Sequence, residues 1–449
     1  MIIKIDQFIK SKTKILKNEM ASKIIKNSGW LVSDKIFTML IGLFVTAIIA
    51  RYFGPETFGQ FNYAFSITAI FTAFSTLGLE TLTVKAIVNK DYREGTILCT
   101  SLYLRVFGGI ILTILASLVI RIIDPNDETL HLLVLIMSFA MVIKSLEVIE
   151  YWVQAHQKAK ISSIIRMFAY VISAVVKVVL VLFGGNIIHY SLILIFDAAI
   201  IGVALIIAYF INRENNYRWK FNIKYAKYIL SQSWYLILSG LMVTLYMRID
   251  QVMLGSMLST KSELGVYSAA IKIAGMWYFV PLAIITSFKP VIMRNNKIND
   301  EKYFNSLQLL YTIVTWMGIG FGLIILLFSK LIVNVLYGPE FVDAASILSL
   351  SVWAGTFAML GSVGSVWLVC EGLQKYSIYL VAGGLVSNIL LNIALIPIWG
   401  GKGAAIATVA TQVISNLVIP LFISKIRLTS IMIFKSFIFK GLWKKGINK

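Results

Sequence analysis

Among the ionisable side chains inside stretches of this sequence that are otherwise apolar, eight stand out: Asp34, Lys35, Lys144, Lys177, Asp197, Arg248, Asp250 and Lys272. An ionisable group in hydrocarbon costs several kcal/mol and therefore faces a partner or a water-filled cavity, so these residues are the place to look for function. Their chemistry is that of holding and moving charge. Arg248 offers a planar fork suited to phosphate and Lys272 a compact point charge, while Lys35, Lys144 and Lys177 add positive charge, so this set of five suits an anionic cargo. Asp197, near the middle of its segment, has no opposite charge within one helical turn. A buried carboxylate of that kind can load and release a proton, and Asp250 and Asp34 join it as candidates for carrying a coupling ion.

Plainer roles stand beside each of these. Asp197 can pair with Lys177, and Lys35 can snorkel to water one turn inside its segment. Arg248 and Asp250, two residues apart and so not on one helical face, can anchor separately near an interface, or Asp250 can hold Arg248 in place. Lys144, Glu147 and Glu150 follow one another at three-residue steps, which predicts a self-paired charged stripe facing a lumen. Arg105, Arg166, Glu80 and Glu371 fall nearer segment ends and rank second. No catalytic set emerges: His131, His156 and His189 sit in or near loops, Cys99 and Cys370 are far apart, and no Gly-x-x-x-x-Gly-Lys-Ser/Thr run occurs. We expect no metal, no cofactor and no nucleotide site.

The elements that must position these residues follow from composition. The 449-residue chain is 58% hydrophobic and only 14% charged, with a mean hydropathy of +0.83. That is more apolar surface than one soluble core can bury, so the expected solvent is lipid. Apolar runs long enough to cross a bilayer fall at 28–50, 60–84, 96–121, 130–153, 161–183, 187–211, 229–255, 264–291, 305–329, 343–370, 374–399 and 403–424. The expected architecture is thus an all-α polytopic membrane protein of about twelve spanning helices. Its parts are a basic N-terminus at 1–27, helices over 28–211, a linker at 212–228, helices over 229–424 and a basic amphipathic tail at 425–449.

The formal charge of +20 comes in short clusters between the apolar runs, which reads as topology and not as a nucleic-acid surface. Lys90, Arg93, Lys158, Lys160, the cluster Arg213, Arg218, Lys220, Lys224 and Lys227, then Arg294, Lys297, Lys302 and Lys375 share one side. The opposite side carries few, among them Arg51, Arg121, Lys261, Lys330 and Lys402, with Asp124, Asp127 and Glu128 making one gap acidic. The positive-inside rule then puts both termini in the cytoplasm. Seven lysines among the first 26 residues lead straight into a full-length span, so no cleavable signal is expected. The tail mixes Ile431, Phe434, Phe437, Leu442 and Trp443 with Lys435, Lys440, Lys444 and Lys445, the pattern of a helix lying in the membrane interface. Trp30, Trp234, Trp277 and Trp399 are expected as belt anchors.

The two halves echo each other. Gly59-Gln60-Phe61-Asn62-Tyr63-Ala64 after the first span is similar to Gly265-Val266-Tyr267-Ser268-Ala269-Ala270 after the seventh, which suggests two six-helix lobes in the same orientation. Around these repeats, Ala50-Arg51-Tyr52-Phe53-Gly54-Pro55-Glu56-Thr57-Phe58-Gly59 resembles the loop after the first helix of O-antigen and polysaccharide flippases. Arg248 to Gly255 with Glu263 to Ala270, Tyr337-Gly338-Pro339-Glu340-Phe341, and Ile396 to Gly400 running through Gly403 to Thr408 resemble that family's later signatures, in the same order.

The resemblance implies the multidrug/oligosaccharidyl-lipid/polysaccharide exporter fold, two six-helix lobes around a central cavity. It implies a flippase moving undecaprenyl-pyrophosphate-linked oligosaccharide, an O-antigen or capsular repeat unit, across a bacterial inner membrane from the cytoplasmic to the outer leaflet by alternating access. The implied partners are that lipid-linked oligosaccharide, membrane lipids, a coupling H+ or Na+, and other polysaccharide assembly proteins. Two alternatives stay open at this stage. An ion-coupled multidrug exporter of the same superfamily would share the fold but needs a less cationic cavity, and a membrane glycan polymerase would need a large outer loop that the short gaps do not provide.

Overall fold

The computed structural model describes the backbone of residues 2–438 apart from 77, 214–217 and 297–299, and side chains from residue 29 onward, apart from 31 and 239. Parts of the sequence expectations therefore lie outside the described residues and side chains: the lysine side chains of the first 26 positions, Lys297, and the tail from 439 to 449. Everything described is helix or short connection, with no strand among the described residues. In chain order the helices are α1 (Ile2–Ser75), α2 (Leu79–Asn89), α3 (Glu94–Ile123), α4 (Glu128–Ile143), α5 (Ile149–Ala155), α6 (Ala159–Leu182) and α7 (Ile187–Asn212). There follow α8 (Ile223–Met257), α9 (Ser262–Ala274), α10 (Phe279–Asn296), α11 (Asp300–Tyr337), α12 (Ala344–Cys370), α13 (Lys375–Val413), α14 (Ile419–Phe422) and α15 (Arg427–Phe437).

Among the described residues, ten helical segments are long and apolar enough to cross a membrane. Two of them, Val32–Asn89 and Lys375–Phe422, run to 58 and 48 residues, about twice what one crossing requires. Each is broken by a glycine outside helical geometry, Gly54 at φ 70° and Gly400 at φ 53°, which only a residue without Cβ adopts easily. Counting each as two gives the twelve crossings that the apolar runs predict. Smaller interruptions are invisible in the hydropathy. The second span is interrupted between Ser75 and Leu79, with turns at Thr76 and Gly78, a 3-10 turn covers Lys144–Val148, another covers Met276–Tyr278, and a π-helical turn covers Ile414–Val418.

The chain forms two compact units. One holds residues 1–42, 74–115 and 135–237, and the other holds 43–73, 116–134 and 238–449. In the first, Trp152, Tyr209 and Tyr225 are buried together with Leu79, Leu98 and Leu205. In the second, α11 and α12 lie against each other through Gly318 and Gly322, one helical turn apart. A Cβ at Gly322 would meet the Trp353 ring at 2.8 Å, and one at Gly318 would meet Thr356 at 2.5 Å, whereas Gly320 between them faces open space. Small residues at this spacing let two helix backbones approach in lipid, where dispersion and not the hydrophobic effect holds helices together.

The segment 427–437 does more than lie at a surface. On α15, Ser430, Ile433 and Ser436 are buried, Gln308 donates to the Met432 carbonyl at 3.1 Å, Thr315 and Ser436 share a hydrogen bond of 2.7 Å, and Ser430 donates to Leu417. Hydroxyls and apolar groups share one face, so this helix docks on α11 and turns Lys435, Phe434 and Ile438 outward. Among the expected belt residues, Trp234 and Trp399 are exposed, but Trp277 is buried and stacked on Phe321 at 5.0 Å, so it is a core residue.

Gly318→Val and Gly322→Val are expected to lower the thermal midpoint in detergent by overpacking worth about 1–3 kcal/mol, with Gly320→Ala as the neutral comparison. Equal effects at the three positions would remove this account of the α11–α12 contact.

Candidate functional site

In the first unit the intramembrane charges converge on α6. Where α4 tightens into its 3-10 turn, Glu147 and, one turn on, Glu150 of α5 both reach the guanidinium of Arg166, at 3.2 and 3.5 Å. The fork of an arginine accommodates two carboxylates at once, which is why these acids leave Lys144 and pair across helices. The expected self-paired stripe of Lys144, Glu147 and Glu150 is thus corrected: Lys144 is exposed, and only its carbonyl is engaged, accepting from Arg105 at 3.0 Å. Asp34 is half-buried on α1, within electrostatic reach of Arg166 and Lys35, and its Oδ1 has no hydrogen-bond partner. Lys35 itself is exposed.

Further along α6, Lys177 donates to Asp197 of α7 at 3.0 Å, with side-chain exposures of 15% and 20%. The counter-ion missing within the turn of Asp197 comes from the neighbouring helix. The other carboxylate oxygen, Oδ1, is buried without a partner. An ion pair held this far from water stabilises only while both members are present, since either one alone is an uncompensated charge.

The second unit has its own polar centre on α8. Asp250 is 7% exposed, and its carboxylate accepts from the Tyr267 hydroxyl of α9 and from the Gln251 backbone N–H at 2.8 Å, with the Thr408 hydroxyl of α13 at 3.5 Å. Arg248 points elsewhere, as two positions on a helix must. It donates to Gln251 Oε1 at 3.2 Å and lies over the Phe65 ring at 5.2 Å. Ser66 donates to the same Gln251 oxygen at 2.5 Å. Asp250 therefore does not anchor Arg248; the amide of Gln251 does. On α13, Asn388 and Asn392 are buried and joined by a 3.0 Å hydrogen bond, with Asn392 Oδ1 left without a partner. Lys272 is exposed on α9.

On sequence Arg166 ranks second, Tyr267, Thr408 and Gln251 enter only as members of motifs and not as site residues, and Asn388 and Asn392 are not singled out. The two asparagines, four apart in an apolar run, were a readable signal; Tyr267 and Thr408 were not, because hydroxyls pass unnoticed in apolar helices. Other second-rank residues have local work. Tyr303 donates to Glu371 at 2.8 Å, Gln154 to Glu80 at 2.9 Å, and His156 lies 3.1 Å from Glu94. Among the described residues, no three metal-binding side chains come together.

A family model described as polysaccharide biosynthesis protein matches residues 24–296, more than half of the chain and including the segments around Gly59, Arg248 and Gly265. The chain belongs to the polysaccharide biosynthesis protein family. A second model, MatE, matches residues 236–394. This member of the family is 22% identical over 401 residues to the capsular polysaccharide biosynthesis protein CapF of Staphylococcus aureus, covering 87% of this chain and 97% of that one. Its fold is similar to that of the lipid II flippase MurJ in an inward closed conformation, with a TM-score of 0.69, 16% identity and 93% of each chain covered. It is also similar to an inward-facing multidrug resistance MATE family transporter, with a TM-score of 0.67, 15% identity, and 92% and 96% covered. With ten segments among its described residues able to cross a membrane, and a fold shared with these structures, the family member is a multi-pass membrane protein.

Removing one partner of a buried pair costs about 3–5 kcal/mol, and replacing both by apolar groups restores much of it. Lys177→Met and Asp197→Leu are each expected to lower the amount of folded protein in the membrane, and the double variant to recover it. Additive losses in quantitative blots and detergent melts would show that the two side chains do not depend on each other.

Proposed function

We propose that this membrane protein is a flippase for carrier-lipid-linked oligosaccharide, taking an anionic diphosphate head group from the cytoplasmic to the outer leaflet of a bacterial inner membrane, with both termini cytoplasmic. The observation that carries this reading is Arg248. It is half-buried within a spanning helix, yet it is held by a neutral amide and an aromatic ring, so its positive charge is not taken up by an ion pair among the described residues. A guanidinium kept charged in that setting suits a phosphate ligand, to which it can present two parallel N–H groups. Lys272, Lys35 and Lys144, all exposed, are the further cargo contacts we propose, whereas Lys177 is engaged by Asp197. Similarity to a capsular polysaccharide biosynthesis protein supports a glycan as the cargo.

For coupling we propose Asp197, Asp250 and Asp34. Asp197 and Asp34 each keep one buried oxygen without a partner, where a proton or small cation would be accepted, and Asp250 sits among hydroxyl and amide groups. Alternating access about the spanning helices would then expose the head-group site to one side and next to the other.

A multidrug exporter is the second reading, favoured by the MatE match and by the acidic surroundings of Arg166, where Asp34, Glu147 and Glu150 outnumber the one arginine. Leaflet exposure of the lipid-linked glycan separates the two. Deletion is expected to trap the glycan on the cytoplasmic leaflet, with rescue by the natural sequence but not by Arg248→Ala or Lys272→Ala at equal membrane levels. Unchanged glycan exposure together with sensitivity to cationic drugs would replace the flippase reading with the exporter.

A further inference from the structure

The sequence contains Gly-Pro-Glu twice, at Gly54-Pro55-Glu56 and at Gly338-Pro339-Glu340. Both copies sit in connections opposite the basic loops, and both open with a glycine of positive φ, 70° and 83°. In the second unit they interlock. Arg51, three residues before the first copy, donates to the Leu336 carbonyl at 2.8 Å, to Asn334 at 3.3 Å and to Val335, which are the last-turn carbonyls of α11 leading into the second copy. A cation there meets the unpaired carbonyls and negative end of the helix. In return, the Glu340 carboxylate lies against Gly54, where a Cβ would come within 3.2 Å of its Oε2, and Phe341 meets Phe58 edge-on at 6.0 Å.

The same layer is tied a second time. Glu56 accepts from the Lys261 backbone N–H at 2.9 Å, and the Lys261 ammonium is held by Asp124 at 3.1 Å and the Gly255 carbonyl at 2.6 Å. Just beneath, Gly59 and Gly265, the matching first positions of the internal repeat, touch backbone to backbone, so that a Cβ at either would overlap the other segment. Ser268 lies one turn below Gly265 and is buried.

We propose that the two interlocked Gly-Pro-Glu turns are the latch that holds the outer side of the protein shut, with Arg51 as its positioning residue and Lys261 as its second tie. The inference rests on the proposed orientation and on transport by alternating access. Each half of the clasp is a glycine that redirects the chain, a proline that fixes the new direction and a glutamate that meets a neighbouring segment, Glu56 at Lys261 and Glu340 at Gly54. The ties made by Arg51 and Glu56 are hydrogen bonds of exposed charged groups at the rim of a buried layer that holds Phe58, Phe341, Gly59 and Gly265, and opening has to part both. Outward opening separates Gly59 from Gly265 and uncovers position 268.

Thiol accessibility tests this without any cargo. Ser268→Cys is placed in a Cys99→Ser, Cys370→Ser background, the full chain is held in lipid nanodiscs, and the rate of maleimide labelling is followed. Adding Arg51→Ala or Glu340→Ala is expected to raise that rate roughly tenfold, the scale on which losing a charged hydrogen-bond cluster shifts a two-state balance. Arg51→Lys, which keeps the charge but loses the fork, is expected to fall between. A parallel set retaining only Cys99, buried on α3, is expected to label at one slow rate throughout. Unchanged labelling at position 268 would overturn the latch, and so would a matching rise at Cys99, which would mean general loosening. If the glycan-leaflet experiment fails while position 268 still responds, the cargo assignment falls and the latch remains.

Discussion

Hydrocarbon supplies no hydrogen bonds, so every polar group this chain carries into the membrane has to find its partner inside the protein. That constraint accounts for the all-helical backbone, since a helix satisfies its own N–H and C=O groups. It also accounts for where the helices stop being regular. Gly54 and Gly400 turn the chain at positions where it returns through the bilayer, and Arg51 covers carbonyls that the end of α11 leaves open. The irregular turn at Lys144–Val148 is matched by Arg105, which takes up the Lys144 carbonyl from outside the helix.

The charged side chains obey the same rule with unequal results. Arg166 and Lys177 are matched by acids on neighbouring helices, while Arg248 is held by an amide and a ring, without an ion pair among the described residues. A paired cation and one left without an acid are thus distinguished by what the protein sets beside them, not by residue type. The chain belongs to a polysaccharide biosynthesis family and shares its fold with flippase and multidrug-transporter structures.

Much of this was legible in the sequence. Twelve apolar runs gave the crossings because lipid imposes a length on each. The eight ionisable residues in apolar runs were found by the same logic, and the alternative reading of Asp197 and Lys177 as a pair is the geometry observed. What the sequence withheld was partnership across helices. Nothing near Glu147 indicates that Arg166, rather than Lys144, will take its charge, and nothing near Asp250 points to Tyr267 or Thr408. Hydropathy also averages over single turns, so the breaks near Gly78 and Gly275 leave no trace in it. The tail was read from its lysines and aromatics; its serines, which seat α15, carried the structural information.

The seating of α15 has a bearing on how the protein is made. Gln308 finds its acceptor at Met432, 124 residues later in synthesis. At ordinary elongation rates that interval is on the order of ten seconds. During it α11 has entered the bilayer with a buried amide and a threonine hydroxyl awaiting acceptors that do not yet exist. Until α15 is made, this helix stands in the bilayer with a polar flank that only the last part of the described chain can satisfy.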